Sequence, residues 1–198
     1  MADPLFLSLW FPHFETIEIL PRAVSVVKQF PFSQSKPGIT YIALHPVSWG
    51  EPTVLEKRFE PGIPPEEAAE IATDLLHEDY AYVFEAYWDL WTPTSETENL
   101  QWALKPSLVQ FIVHGKEFER ADPEVGEIEV DFGLDTPFLY EEFTLTGEDE
   151  DRLKQNVQKL VAFTAAAEKS SRATGRLLWS ESEENLAQKL IARLQKVQ

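Results

Sequence analysis

Apolar and polar residues alternate in four separate segments of the first half of the chain. The clearest is "AYVFEAYWDLW", Ala81–Trp91, in which every second residue from Tyr82 to Leu90 is apolar or aromatic. A period of two is typical of a β-strand that buries one face. The same pattern predicts strands at Leu5–Phe11, from Ile39 onward and at Thr53–Phe59.

Two segments between these strands have helical spacing instead. Val24, Val27 and Phe30 recur behind Pro21, a residue that suits the first turn of a helix because that turn needs no N–H at its start. A second helix follows "EPGIPP". The predicted order over residues 1–94 is therefore βαββαβ, an α+β arrangement that resembles the ferredoxin-like and dimeric α/β-barrel families in element order alone. No family motif accompanies this order, so it implies no function.

The second half, residues 105–198, predicts a diverged ββ(β)αβα order. Strands are expected at Ser107–Phe118, Gly126–Leu134 and Pro137–Phe143, and a long helix from about Asp149 to Ser171, capped by a residue near Thr146. The segment "GRLLWS" supplies a last strand before a C-terminal helix.

One pair of segments indicates a tandem duplication. "LWTPTSETENL", Leu90–Leu100, resembles "LWSESEENL", Leu178–Leu186, when two residues are gapped. Both contain a capping-box pattern that predicts a following helix. The pattern consists of Ser95 with Glu98 and of Ser180 with Glu183. Two α+β halves and one continuous domain both stay open at this point.

The second face of the strand at Ala81–Trp91 is the main candidate for function, because it mixes two carboxylates with a phenol and an indole. Such a face suits solvent, a ligand or a partner protein. The candidate binding residues are Glu85, Tyr87, Asp89 and Trp91, with Trp10, His45 and His114 added as aromatic and titratable groups from other predicted strands.

Charge limits the partners that this chain can attract. Its 34 Asp and Glu against 17 Lys and Arg give a formal net charge of −17, which disfavours nucleic acid and anionic membranes and favours a basic protein. No apolar run approaches the ~20 residues of a membrane helix. Without cysteine there is no disulfide or thiolate metal site. An acidic residue also stands near the N-terminus, where a signal peptide would be basic. We therefore expect a soluble, cytoplasmic protein.

Acidic residues cluster from Ala121 to Asp151, where twelve carboxylates occur without a Lys or Arg. Glu127, Glu129 and Asp131 alternate with apolar residues and so share one side of a predicted strand. Clustered oxygen ligands suit Ca²⁺ or Mg²⁺, but the spacing fails the EF-hand pattern, because Phe132 stands where that pattern needs glycine. We favour a solvated sheet face over a metal site.

Catalytic motifs are missing from the sequence. It contains no glycine-rich phosphate loop, no nucleophile elbow and no zinc-ligand spacing. Glu85 and Asp89 lie four positions apart on one strand, about 13 Å at the backbone, which is too far for a carboxylate pair acting on one bond. His45 and His114 form a shared site only if the fold brings them together. The sequence thus predicts no cofactor, no metal and no catalytic residues, and an enzyme is the less favoured class.

Three functions remain as hypotheses. The favoured one is an interaction module whose acidic surface meets a basic protein partner. The alternative is a small-molecule-binding protein or enzyme with a pocket between the two halves, lined by Trp10, Tyr87, Trp91, His45 and His114. The third is an assembly protein in which both sheet faces are buried. The oligomeric state is left open.

Overall fold

The computed structural model of the protein describes residues 3–94, 101–120, 122, 124–140, 145–181 and 186–195. Its strands are β1 (Pro4–Trp10), β2 (Ile39–Pro46), β3 (Leu55–Ile63), β4 (Tyr80–Pro93), β5 (Trp102–His114), β6 (Ile128–Leu134) and β7 (Gly175–Ser180). Its helices are α1 (Ile19–Val27), α2 (Pro65–Thr73), α3 (Thr136–Leu139), α4 (Gly147–Ser171) and α5 (Leu186–Gln195).

The seven described strands form one antiparallel sheet in the order β3-β2-β4-β5-β6-β1-β7. The α+β class is thereby confirmed, and β2 and β4 are adjacent strands. The centre of the sheet is the long β4–β5 pair, which runs from Ala81 opposite His114 to Pro93 opposite Trp102.

Helices form a layer against one face of this sheet. Each of the helices α1 to α5 contributes buried side chains to a single core cluster, and the strands contribute alternate residues to the same cluster. From β4 and β5 these are Tyr82, Phe84, Ala86, Trp88, Leu90, Val109, Phe111 and Val113. Because side chains alternate along a strand, the residues between them lie on the opposite face, which we call the open face.

The order of elements along the first half is βαββαβ, as the periodicity predicts. A self-contained ferredoxin-like half would keep its four strands together, whereas β1 pairs with β6 and β7, away from β2 and β4. The core-facing Leu5, Leu7 and Leu9 of β1 are fully buried there. Nothing in the local sequence of β1 selects its neighbours, since pairing is decided by which apolar faces are covered together.

The strand predicted at Pro137–Phe143 is wrong over its described residues, because Thr136–Leu139 is the short helix α3. Phe138 and Leu139 are buried in the core, and Pro137 stands in the first turn, where its missing N–H is not needed. Short apolar runs do not distinguish a strand from a helical turn. Residues 141–144 lie outside the described residues.

The long helix α4 begins as predicted. Thr146 is its N-cap and forms a capping box with Asp149, whose side chain accepts the Thr146 backbone N–H at 2.8 Å. The predicted box of Ser95 and Glu98 and the Glu183 member of the other box lie outside the described residues. After the first of these, the next described element is strand β5, where the repeat predicts a helix.

Candidate interaction surface on the open face

The strand register aligns the open-face residues into two rows that cross the whole sheet. The outer row is Arg58, Tyr41, Glu85, Gln110, Asp131, Phe6 and Trp179. The inner row is Glu56, Ala43, Val83, Ile112, Glu129, Ser8 and Leu177. Residues that lie directly opposite on paired strands have Cβ atoms ~5 Å apart, so each row is an unbroken line of neighbouring positions.

The inner row has small, buried side chains on both sides of its centre. Ala43 is 1% exposed, Val83 6% and Ser8 1%. The outer row beside it carries larger and more exposed side chains, including Tyr41 and Trp179. The inner row therefore forms a floor from Ala43 to Ser8, in which Glu129 is the one carboxylate, and it ends at the exposed Glu56 and Leu177.

Glu129 and Asp131 on β6 are carboxylates held partly out of water. Burial, with smaller contributions from the charges of Asp131 and Asp122, raises the pKa of Glu129 from 4.5 to about 7. Burial also raises the pKa of Asp131, against a hydrogen bond that its Oδ1 accepts from the Gly133 N–H at 2.7 Å. Among the described residues, no Lys or Arg forms a salt bridge with either acid. The pair gains from any cation that approaches it.

Aromatic side chains lie next to this acidic pair. Phe6 and Trp179, at the end of the outer row, stack with ring centroids 4.7 Å apart. The Trp179 indole N–H donates to the Ser8 hydroxyl at 2.9 Å, which fixes the indole over the inner row. Carboxylates beside aromatic faces suit a guanidinium or an ammonium group, since the ring attracts the cation and the acid pairs with it.

The fold does bring His45 and His114 together. Both face Ala81 across the sheet, one on each neighbouring strand of β4, so their Cα atoms are about 10 Å apart. The Trp49 ring lies between them, with centroids 4.8 Å from His45 and 5.9 Å from His114. Phe118 completes this histidine cluster, 5.1 Å from Trp49.

The histidine cluster is uncharged near neutral pH. Burial, and after it the charge of Arg120, lowers the pKa of His114 to about 4, against a hydrogen bond with the Gly126 backbone that raises it. Burial also lowers the pKa of His45. The Nδ1 atoms of both rings are buried without a hydrogen-bond partner among the described residues. The cluster thus borders the inner row as an apolar wall and adds no positive charge to the acidic face.

Trp49 reaches this position through a strained turn. Val47 has a φ of 61°, a conformation that β-branched residues rarely adopt and that costs of the order of 1–3 kcal/mol. Two backbone bonds hold it there: the Val47 N–H donates to the Asp79 carbonyl at 2.7 Å, and the Glu119 N–H donates to the Val47 carbonyl at 2.8 Å. No pattern in the sequence indicates this position of Trp49, because only the turn at Val47 places its ring over the sheet.

Three residues predicted from β4 have structural contacts of their own. The Glu85 carboxylate accepts from the Gln110 side-chain amide at 2.8 Å within the outer row. The Asp89 carboxylate anchors the loop before β2, accepting from the Ser33 hydroxyl at 2.7 Å and the Gln34 N–H at 3.0 Å. The Tyr87 ring lies under the Lys36 ammonium, 4.2 Å from its centroid. Of these, Glu85 and Tyr87 belong to the open face and Asp89 to its edge.

Trp91 lies against α4, in the part of β4 beyond Ala86, where the pairing with β2 has stopped. The buried Asn156 side chain of α4 accepts the Trp91 N–H and donates to the Trp91 carbonyl, both at 2.9 Å, so this amide takes the place of a neighbouring strand. Asn156 also donates to the Pro137 carbonyl at 2.8 Å. The Trp91 indole donates to Gln155 at 2.9 Å. Trp10, by contrast, lies on the open face and packs on Gly175 of β7.

The described part of the chain meets neither the requirements of a metal site nor those of a membrane-spanning helix. No three His, Asp or Glu side chains there come close enough to hold a metal ion. None of the described helices combines the length and the apolar character needed to cross a membrane.

Comparison of the chain with known protein families, curated proteins and solved structures gives no match. The function is therefore argued from the geometry of the open face alone.

Proposed function

We propose that the protein is an interaction module that binds a basic protein segment on its open face. The observation that carries the proposal is the Glu129–Asp131 pair, two neighbouring carboxylates that burial disfavours in their charged form and that have no cationic partner among the described residues. An arginine or lysine from a partner would pair with them. The gain is larger here than at a fully exposed acid, because part of the desolvation cost is already present in the free protein.

The shape of the surface supports an extended partner. From Ala43 on β2 to Ser8 on β1 the inner row offers a low floor, and the outer row and the histidine cluster border it on its two sides. A segment lying along the floor would meet Glu129, with the Trp179 and Phe6 rings beside it. Aromatic and charged anchors of this kind dominate the energy of protein interfaces. The net charge of −17 adds long-range attraction for a basic partner.

A titration with an arginine-rich nonapeptide tests the proposal. The ¹⁵N-labelled protein is titrated while amide chemical shifts are followed, and we expect the largest changes on β6, β1 and β7. The double variant Glu129→Gln/Asp131→Asn should weaken binding by roughly 10- to 100-fold, since two charge-assisted contacts are lost.

A matched double variant separates a specific site from net charge. Glu67→Gln/Glu70→Gln removes the same two charges from exposed positions of α2, on the helix side of the sheet. We expect this variant to bind the peptide with nearly native affinity. Equal loss of affinity in the two double variants, or shift changes confined to the helices, would contradict the proposal.

The predicted duplication has its own support, independent of function. β4 closes the first half and pairs with β5, which opens the second. β7 closes the second half and pairs with β1, which opens the first. The two similar segments begin in equivalent strands, at Leu90 in β4 and at Leu178 in β7. This reciprocal pairing is what two copies with exchanged first strands would produce, and we propose the duplication on that basis.

A further inference from the structure

A polar groove lies at the opposite end of the open face from the acidic pair. It has a volume of about 620 Å³ and lies between the loop that precedes β2 and the second half of β3. Its lining includes Ser35, Lys36, Thr40, Arg58, Glu60 and Tyr87. A volume of this size is in the range of sites that hold small organic molecules.

Two glycines bring the walls of the groove together. A Cβ on Gly62 would lie 2.2 Å from the Pro37 carbonyl oxygen, so only glycine permits this approach of the two segments. Gly38 has a φ of 78°, and a Cβ there would lie 2.6 Å from the Ile63 carbonyl oxygen. The groove is thus built by direct backbone contact and its walls are fixed relative to each other.

The two cations of the groove are held by aromatic rings and not by carboxylates. The Lys36 ammonium lies 4.2 Å from the Tyr87 ring centroid, and the Arg58 guanidinium 4.6 Å from that of Tyr41. Within the described ranges, neither cation forms a salt bridge.

This arrangement leaves the hydrogen-bond donors of both cations available. A ring face attracts a cation but accepts none of its N–H groups in the way that a carboxylate does, so the guanidinium fork and the ammonium keep their donors for a ligand. The hydroxyls of Ser35 and Thr40 line the same groove, where the Ser35 hydroxyl lies 3.1 Å from that of Ser33 and the Thr40 hydroxyl donates to the Glu85 carbonyl at 3.4 Å. Glu60 on the wall, and Glu56 and Glu85 near Tyr41, are the acids that face these groups.

We propose that this groove binds a small organic anion through a phosphate or carboxylate group held by Arg58 and Lys36. The volume calls for an organic body beyond the anionic group, because a single phosphate fills only a small part of it. The site is separate from the surface for a basic partner, since the two lie at opposite ends of the open face and attract opposite charges.

The test is a chemical-shift titration of the ¹⁵N-labelled protein at constant ionic strength, with phenyl phosphate and benzoate as anionic probes. We expect shift changes at Ser35, Lys36, Thr40 and Arg58 with at least one of them, and the tighter of the two identifies the preferred head group. Phenol, which has the ring without the charge, should bind at least tenfold more weakly.

Variants decide whether the two cations are responsible. Arg58→Gln and Lys36→Gln should each weaken binding of the anion by roughly tenfold, as expected for loss of a charge-assisted contact. Lys57→Gln is the matched control, because Lys57 is the next residue of β3 and so lies on the opposite face of the strand from Arg58, over the Phe59 ring. All three positions are exposed, so thermal melting should show native stability for each variant.

The opposite results would overturn the proposal. These are absence of saturable shifts at the groove with both anions, or an equal loss of affinity in Lys57→Gln. Benzylamine, a cation with the same ring, should leave the groove unshifted, and its binding there in place of the anions would also overturn it. None of these outcomes bears on the arginine-rich peptide, whose site is tested by Glu129 and Asp131.

Discussion

Replacement of Glu129 by glutamine should stabilise the protein at alkaline pH, which is unusual for the loss of a charged surface residue. The folded protein holds the pKa of this carboxyl at about 7, against an ordinary value of 4.5. The folded state therefore binds this proton more tightly than the unfolded chain does. The contribution of the proton to stability is complete below pH 4.5 and is lost as the pH rises from 4.5 through 7. Glutamine has the shape of the protonated acid and stays neutral at every pH.

The size of the effect follows from the two pKa values. Each pH unit between them corresponds to about 1.4 kcal/mol, which gives an upper limit of about 3.4 kcal/mol at pH 8. Glu129 is only partly buried, and solvent screening reduces this figure. We expect Glu129→Gln to be more stable than the native protein by about 1–2 kcal/mol at pH 8.

Urea unfolding of the native protein and of Glu129→Gln, at pH 5 and at pH 8 and constant ionic strength, measures this difference. At pH 5 most of the gain should disappear, because the carboxyl is then largely protonated in the folded state. Glu67→Gln on α2 is the control, an exposed acid whose replacement should change stability by less than about 0.5 kcal/mol. If Glu129→Gln proved less stable than the native protein at pH 8, the carboxylate would have a partner in the folded state, and the reasoning behind the interaction surface would fail.

Three further substitutions test other parts of the structure. Asn156→Leu should destabilise the protein by about 2–4 kcal/mol in urea unfolding, because it leaves buried backbone groups of β4 without a hydrogen-bond partner. Gln155→Leu should cost less than about 1 kcal/mol, and equal losses would contradict the role given to the buried amide. Gly62→Ala should lower the melting temperature, since its Cβ would meet a backbone oxygen at 2.2 Å, while Gly147→Ala, with open space around it at the start of α4, should be neutral or stabilising. The pKa of His114 is lowered to about 4 in the folded protein, so the unfolded chain takes up this proton first and stability should fall as the pH drops from 6.5 towards 4. His114→Gln should reduce this loss of stability between pH 6.5 and 5 by about 1–2 kcal/mol, and an unchanged pH profile would show that the ring is not desolvated.

The elements that sequence alone predicted well are those with long, regular patterns. The alternation from Tyr82 to Leu90 covers most of β4, and the Thr146 cap with acidic residues after it marks the start of α4. Each of these signals is local, because it depends on the period of one segment or on the chemistry of one helix end. The prediction that was wrong, a strand at Pro137–Leu139, concerns a segment too short to show a hydrophobic period.

The candidate surface was predicted in part. Alternation placed Glu85 and Tyr87 on the second face of β4, and it placed Glu129 and Asp131 on one side of β6. It had no means of placing Phe6 and Trp179 beside those acids, because β1 and β7 are far from β6 in sequence. Trp49 was missed for the same reason, since its position depends on contacts of Val47 with two distant segments.

The amino-acid sequence determined which segments are strands and helices, which face of each strand is apolar, and the excess of negative charge. Only the tertiary structure decided that β1 joins β6 and β7, that the open-face residues line up in two rows, and that Arg58 and Lys36 line one groove without a salt bridge among the described residues. The physical reason is that periodicity and capping act within about one turn or one strand. Strand order depends instead on how the apolar faces of all elements are covered at once, and that choice also sets the distances between charges from remote parts of the chain.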